Sequence, residues 1–256
     1  MLEQRVNVLG VGVTPTNIPA AVAAIAGWIE QRDSRYVCVT SVHGIVESLH
    51  DPALRQIHNR SGLTVPDGMP LVWLSRWADH AEADRVYGPD LMLAVCAMAS
   101  GAGYRHYFYG GAAGVAELLA LKLQQRFPGL QVAGTYCPPF RPLTPQEDAA
   151  VVAQINAARP DIVWIGLSTP KQERWMAEHI GRISAPILIG VGAAFDFHTQ
   201  RVRQAPAWMQ RHGLEWLFRL TQEPHRLWRR YLLGHPQFVW HLFLQKTGLR
   251  TYPLIT

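Results

Sequence analysis

Apolar positions along this chain gather in short continuous runs, separated by longer stretches with helical spacing. Tyr36–Thr40 (YVCVT), Asp161–Leu167 (DIVWIGL) and Pro186–Val191 (PILIGV) are nearly unbroken apolar segments. Such runs mark strands buried on both faces rather than strands with one wet side. Tyr104–Tyr109 and Leu130–Thr135 read as two more strands, and a short one, Leu63–Val65, runs into the turn Pro66-Asp67-Gly68. Helical spacing follows Thr40, with an interruption near Asp51-Pro52, and returns over Pro70–Ala78, Pro89–Ser100, Ala113–Phe127, Thr144–Ala158 and Pro170 to about His179. Thr144 with Glu147 three residues on predicts a capped helix start. Strands alternating with helices predict an α/β fold with a parallel sheet covered on both faces. Val6–Val13 alternates weakly and predicts an edge strand or hairpin. No internal repeat or low-complexity segment is visible.

After about Gln200 the pattern turns wholly helical. Pro206–His212, Leu214–Glu223, Pro224–Leu233 and Pro236–Thr247 read as consecutive helices, three of them with proline in the first turn, where its missing N–H costs nothing. The expected division is therefore an α/β body over residues 1–200 and an all-helical appendage over 201–256. The junction at 195–205 has no Gly/Ser linker, so the appendage is expected to dock on the body. On this division, truncation near Pro206 leaves a folded body.

Composition sharpens the picture. A chain of 256 residues, 48% hydrophobic and 17% charged, has the make-up of a globular protein and not of a disordered one. Its formal charge of +5 is unevenly placed: from Arg201 onward there are nine Lys or Arg against Glu215 and Glu223, and four of the nine tryptophans. The basic, aromatic character belongs to the appendage. No apolar run reaches the ~18–20 residues that span a bilayer, and the N-terminus lacks an export pattern. Cys38, Cys96 and Cys137 are few and lack metal-type spacing. They are expected as reduced thiols of a cytosolic protein, with Cys38 in the core.

Three strand ends share one design: FYGGAAG (Phe108–Gly114), IGLSTPKQE (Ile165–Glu173) and IGVGAAFDF (Ile189–Phe197) each pass from an apolar strand through glycine into a turn or helix start. Glycine at such a place either makes a tight turn or lets backbone approach a phosphate, and three in series favour a nucleotide or phosphorylated ligand. There is no P-loop and no well-placed G-x-G-x-x-G, which argues against nucleotide hydrolysis and hydride transfer. There is also no D-x-D pair to hold a divalent cation, so the expected chemistry needs no metal and no cofactor.

Asp67 in VPDGMP has two readings, a structural turn residue and a carboxylate presented at a strand end as general base. Arg85 in RVYGPD is expected to supply charge nearby, while Asp90 reads as a helix N-terminal carboxylate. Arg219, Arg226, Arg229 and Arg230 recur at roughly helical spacing among aromatic residues. One reading is a surface that lies on anionic lipid and reaches a diphosphate head group; the other is a dimer interface or a helical pair packed on the core. No RNA-binding signature accompanies the charge, so nucleic acid is not expected.

Together, VPDGMPLVW, RVYGPDLM, HYFYGG…GVAE, DIVWIGLSTPKQERWM, GVGAAFDF and RQAPAWMQRHGLEWLFRL…EPHRLWRRY resemble the WecG/TagA/CpsF family of bacterial glycosyltransferases, in the same order from about residue 5 to 245. The resemblance implies a Rossmann-like core. It also implies inverting, metal-independent transfer of an N-acetylhexosamine-type sugar, N-acetylmannosamine or its uronate, from a UDP-sugar donor. The implied acceptor is an undecaprenyl-diphosphate-linked sugar, handled in exopolysaccharide or cell-surface polysaccharide biosynthesis. The implied location is the cytoplasm, peripheral on the inner face of the cytoplasmic membrane. By the same resemblance Asp67 matches the family's catalytic base, Arg85 and Gln172 the sugar and diphosphate region, and Asp196 a position near the nucleoside; the strand-end glycines Gly110 and Gly111, with the 166–173 turn, are expected to face the UDP-sugar. Arg219, Arg226 and Arg229 match appendage arginines over the lipid diphosphate. One departure stands out: where the family carries Thr-x-Asn after the first core strand, this chain has Thr40-Ser41-Val42-His43. Thr40, Ser41 and His43 are thus alternative contacts to the donor sugar. A non-catalytic nucleotide-sugar-binding regulator and a sugar-nucleotide-converting enzyme remain the rival functions, and homo-oligomerisation stays open.

Overall fold

The computed structural model describes residues 4–254. Its strands are β1 (Val6–Val8), β2 (Val11–Val13), β3 (Arg35–Thr40), β4 (Leu63–Pro66), β5 (Arg105–Gly110), β6 (Gln131–Tyr136), β7 (Ile162–Gly166) and β8 (Ile187–Gly190). β1 and β2 form the antiparallel hairpin that weak alternation over Val6–Val13 allowed. The remaining six make one sheet in the order β4-β3-β8-β7-β5-β6. β3 with β8, β8 with β7, β7 with β5 and β5 with β6 all pair in parallel. The α/β class and parallel sheet expected from the unbroken apolar runs are therefore present. The chain divides into two compact units.

One unit comprises Ile18–Cys38 and Gly88–Arg203. Its strands carry large side chains that solvent does not reach, among them Phe108, Trp164, Ile165 and Leu188. The buried His106 ring stacks on Trp164 and accepts a hydrogen bond from the indole N–H at 2.9 Å. Cys38 and Cys96 are buried thiols, as expected of Cys38. Thr144 and Glu147 form the expected reciprocal cap on Pro145–Ala158. One helix, Ile18–Gln31, has no counterpart in the sequence pattern read above. Its sequence IPAAVAAIAGWIEQ is apolar on nearly every side, so no polar face marks its period. It buries Ala21, Ile25 and Ile29 and packs against β8 and the helix Gly88–Ala102.

The other unit comprises the N-terminal residues up to Asn17, Val39–Tyr87, and the chain from Gln204 onward. The tail is thus grouped with the hairpin and with the segment that carries Asp67. Phe238 and Tyr252 from the tail share a core with Val8, Leu9, Val11 and Val13 of the hairpin and with Val42, Ile45 and Leu71. Polar contacts fasten the same pieces: Gln245 accepts from the Leu9 N–H at 3.1 Å and donates to the Asn7 carbonyl at 3.2 Å. Asn7 in turn donates to the Tyr252 carbonyl at 2.8 Å. Truncation near Pro206 would strip the aromatic side chains Phe238 and Tyr252 from this core.

The tail helices also differ in detail from the sequence reading. Ala207–Arg211, Glu215–Gln222 and Pro224–Trp228 are short α-helices. From Pro224 the chain then continues without a break through a π-turn, Arg229–Leu233, into Gly234–Lys246. Pro236 was read as a helix start but lies inside this run. The widened turn before it gives the pyrrolidine ring room and removes the need for the N–H that proline lacks.

Buried His58 and His106 give the fold a pH dependence. Burial lowers both from an ordinary 6.5 to about 4, with the Arg5 charge adding to the effect at His58. The folded state keeps these rings neutral while the unfolded chain takes up protons below 6.5. Stability is therefore full above that pH and is lost as pH falls toward 4, by about 1.4 kcal/mol per pH unit for each ring. The expected outcome is a urea midpoint that falls between pH 6.5 and 5, above the range where most carboxylates titrate. A flat midpoint over that interval would contradict it.

Candidate functional site

In the unit that contains the tail, β3 and β4 end side by side. The Asp67 N–H donates to the Thr40 carbonyl at 2.9 Å, and the Val86 N–H donates to the Pro66 carbonyl at 2.9 Å. Gly68 then caps the helix Met69–Trp77, with Pro70 in its first turn. Pro-Asp-Gly thus does make a turn, and the partly buried Asp67 lines a cavity of about 470 Å³. Ser41, His43, Asp67, Arg85 and Arg219 all line this cavity, so five of the residues singled out from sequence meet there. Thr40 lies just beneath, its buried hydroxyl 3.3 Å from His58 Nδ1.

Electrostatics divides the cavity's basic groups into two kinds. Arg85 is engaged on all three nitrogens. Nε donates to the Asp67 carbonyl, Nη1 to Gln210 Oε1 at 3.2 Å, and Nη2 to Glu215 Oε2. The Tyr87 ring lies 4.0 Å from the guanidinium carbon, and its hydroxyl donates to Glu215 Oε1 at 3.0 Å. Burial works against the charge of Arg85, but the Asp67 and Glu215 carboxylates outweigh it and hold the guanidinium more firmly protonated than usual.

Arg230 stands differently. Its Nη2 reaches Ser41 Oγ at 3.5 Å, and its guanidinium carbon lies 5.5 Å from the Tyr231 ring centre. Its buried Nε has no acceptor. Burial, then the Arg219 and Arg226 charges, depress its affinity for the proton, with Tyr231 and Asp67 opposing. A guanidinium does not give up its proton, so this is an under-compensated positive charge suited to an anion. Burial, Arg230 and His235 push the neighbouring His43 down to about 3. His43 is therefore a neutral ring, and its 3.7 Å approach to Glu47 is not an ion pair. Trp73, Leu74, Trp77, Val239 and Leu242 add apolar lining to the same cavity.

Two expected arginines do not line this cavity. Arg226 is exposed and pairs with Glu223 at 2.5 Å, while exposed Arg229 lies 5.3 Å from the Trp228 ring centre. Arg219 has Glu223 at 3.7 Å. Arg230 belongs to the arginine series that the sequence offers to a diphosphate head group, whereas no motif marks Glu215, Gln210, Tyr87 or His235. Their partners lie up to 130 positions away in the chain, beyond the reach of any local pattern.

The remaining expected residues lie in the other unit, at the carboxyl ends of β5, β7 and β8. Gly110 pairs with Gly166 across β5 and β7, and the Gly111 N–H donates to the Gly166 carbonyl at 3.1 Å. Gln172 is buried; its Oε1 accepts from the Gly192 N–H at 2.9 Å and its Nε2 donates to Glu173 Oε1 at 3.1 Å. It thereby braces the turn after β7 on the turn after β8. Asp196, partly exposed, has Arg201 Nε at 3.8 Å. Among the described residues, no three His, Cys, Asp or Glu side chains gather as metal ligands would.

Residues 6–252 match the model of the glycosyl transferase WecG/TagA/CpsF family. The chain belongs to that family and is a glycosyltransferase. Similar proteins include one from Bacillus subtilis (strain 168), 25% identical over 244 residues, covering 92% of this chain and 93% of the relative. One from Bacillus spizizenii is 26% identical over 212 residues, covering 83% and 80% respectively. Another, from Staphylococcus aureus (strain MW2), is 26% identical over 249 residues, covering 96% and 95%. All three are named N-acetylglucosaminyldiphosphoundecaprenol N-acetyl-beta-D-mannosaminyltransferase.

The glycine at the end of β5 is open to a direct test. Gly110 has φ +129°, and a Cβ there would meet the Gly166 backbone at 2.6–2.8 Å. Backbone on both sides cannot yield, so Gly110→Ala is expected to cost on the order of 1–3 kcal/mol of stability. Chemical denaturation checks this; an unchanged midpoint would mean that β5 and β7 separate freely at this end.

Proposed function

We propose that this enzyme transfers an N-acetylhexosamine-type sugar, N-acetylmannosamine or its uronate, from a UDP-sugar to a polyprenyl-diphosphate-linked sugar acceptor. The transfer inverts the anomeric centre, needs no metal, and serves cell-surface polysaccharide synthesis. The observation that carries this reading is the Asp67 carboxylate lining one cavity together with cationic Arg219 and Arg230 and with Trp73, Trp77 and Trp216. A lipid diphosphate carrying a sugar has the matching character: a hydroxyl to activate, two phosphates to neutralise, and an apolar chain. Family membership and the relatives' names support the same acceptor class.

Asp67 is the general base. Its carboxylate takes the proton from the acceptor hydroxyl as that oxygen attacks the anomeric carbon and the bond to the UDP β-phosphate oxygen breaks. Arg219 and Arg230, with Arg226 and Arg229 further out, hold the acceptor diphosphate, and Ser41 and His43 offer hydrogen-bonding groups to a sugar. In the other unit, the glycine turns at Gly110 and Gly111, with Gln172 and Asp196, are the proposed donor-binding residues. Backbone N–H groups at such turns can neutralise a departing diphosphate without a cation, a kind of stabilisation worth a few kcal/mol.

The proposed membrane contact rests on the tail. No described helix is long and apolar enough to cross a membrane. Leu232, Leu233, Val239, Trp240 and Phe243 are nevertheless exposed on a strongly basic segment. Apolar side chains flanked by arginine suit a surface that lies on anionic lipid, and the inner face of the cytoplasmic membrane is the location this chemistry requires. Replacing Trp240 and Phe243 together by Glu is expected to reduce co-sedimentation with phosphatidylglycerol vesicles at least tenfold, with the fold retained. Undiminished sedimentation would remove this face from the membrane contact.

Asp67→Asn tests the chemistry. With UDP-N-acetylhexosamines and a short-chain polyprenyl-diphosphate-N-acetylglucosamine, UDP release is expected to fall at least 10³-fold while donor binding by calorimetry is kept. Wild-type turnover would take Asp67 out of the mechanism.

A further inference from the structure

Arg85 resembles a ligand-binding arginine in sequence, yet its guanidinium has little left to offer a ligand. Nε, Nη1 and Nη2 are each committed to protein oxygens, and the Tyr87 ring lies against the plane. Two of these partners, Gln210 and Glu215, come from the tail, 125 and 130 positions further along the chain. The third is the backbone carbonyl of Asp67. The Arg85 and Glu215 side chains are only 14% and 15% exposed, so the pair is mostly shielded from solvent screening.

We infer that Glu215 is a positioning residue for catalysis: through Arg85 it fixes the peptide that carries Asp67, and so makes the base's geometry depend on the docked tail. This rests on the reading of Asp67 as general base. The argument runs through the order of contacts. Glu215 opens the helix Glu215–Gln222, and its two oxygens hold Arg85 Nη2 and the Tyr87 hydroxyl. The charge-assisted bond from Glu215 on Nη2, the Gln210 oxygen on Nη1 and the Tyr87 ring against the face together fix the plane and direction of the guanidinium, which determines where Nε points. Nε restrains the Asp67 carbonyl from one side, while the Thr40 carbonyl restrains the Asp67 N–H from the other. A peptide gripped at both ends keeps its side chain within a narrow range of positions. Without Glu215 the guanidinium would be a buried cation lacking its closest described carboxylate, and it would turn toward Asp67 itself or toward solvent. Either turn moves or masks the base. The tail then contributes to catalysis independently of any lipid it touches, and Arg85 acts through Asp67 and not as a clamp on phosphate.

The test uses the full-length protein with a short-chain, detergent-free acceptor, so that membrane attachment plays no part. Glu215→Ala is expected to lower kcat about 10²-fold, the scale of a misplacement near 1 Å, while KM for donor and acceptor stays within threefold. Glu215→Gln keeps an oxygen for Arg85 and is expected to recover at least tenfold of that loss. Tyr87→Phe removes only the hydroxyl that steadies Glu215, and is expected to fold and to lose about fivefold in kcat. It carries the test if the alanine variant does not fold. A rise in KM at unchanged kcat would make Glu215 a ligand-binding group and overturn the inference, as would wild-type kcat in Tyr87→Phe together with Glu215→Ala or, should that not fold, Glu215→Gln. Asp67→Asn in the same assay separates the two claims. If it is inactive while Glu215→Ala turns over normally, only the positioning role fails; if it is active, the base and the positioning role fall together.

Discussion

A guanidinium charge taken out of water has to be met by an acid or by a ligand, and two arginines that line the cavity, Arg85 and Arg230, meet that demand in opposite ways. Arg85 is answered from within the protein, by Glu215, Gln210 and the Asp67 carbonyl. Arg230 has a serine hydroxyl at 3.5 Å, an aromatic ring alongside and an Nε without an acceptor. Burying a charge with its partner stabilises a particular geometry, whereas burying one without a partner costs stability and creates affinity for an anion. On the proposed reading, Arg85 acts as part of the scaffold and Arg230 as part of a binding surface. Asp67, whose charge acts on both, gives the cavity its proposed chemistry.

The fold supports this division by simple means. Parallel strands with apolar sequences place their carboxyl ends along one edge, where glycine lets backbones approach as Gly110 and Gly166 do. The tail contributes core side chains, Phe238 and Tyr252, to the same unit as the hairpin. Its basic side chains are therefore presented from a rigid base. The π-turn at Arg229–Leu233 falls at Arg230 and Tyr231, where a wider helical turn alters which way successive side chains project.

Much of the architecture was legible because the signals were local. Strands such as DIVWIGL and PILIGV, the Thr144–Glu147 cap and the Pro-Asp-Gly turn each depend on a few adjacent residues. The helix Ile18–Gln31 escaped notice because it is apolar almost all round, so its period leaves no trace in polarity. Pro236 misled because its usual meaning, a helix start, gave way to a π-turn that tolerates it. In the cavity, Asp67, Arg85 and Arg219 stood out by motif. Arg230 stood out as one of a series of tail arginines, but Glu215 did not, since its meaning comes from Arg85, more than a hundred residues away.

The central claim is a single displacement at the anomeric carbon, assisted by the Asp67 carboxylate with no bond between sugar and enzyme. Its stereochemistry is the most direct readout. With an α-linked UDP-N-acetylhexosamine and a lipid-diphosphate-linked acceptor, NMR of the product should show a β linkage, set by one attack from the face opposite UDP. A product that keeps the α configuration would require two displacements or a front-face path, and would contradict the role assigned to Asp67.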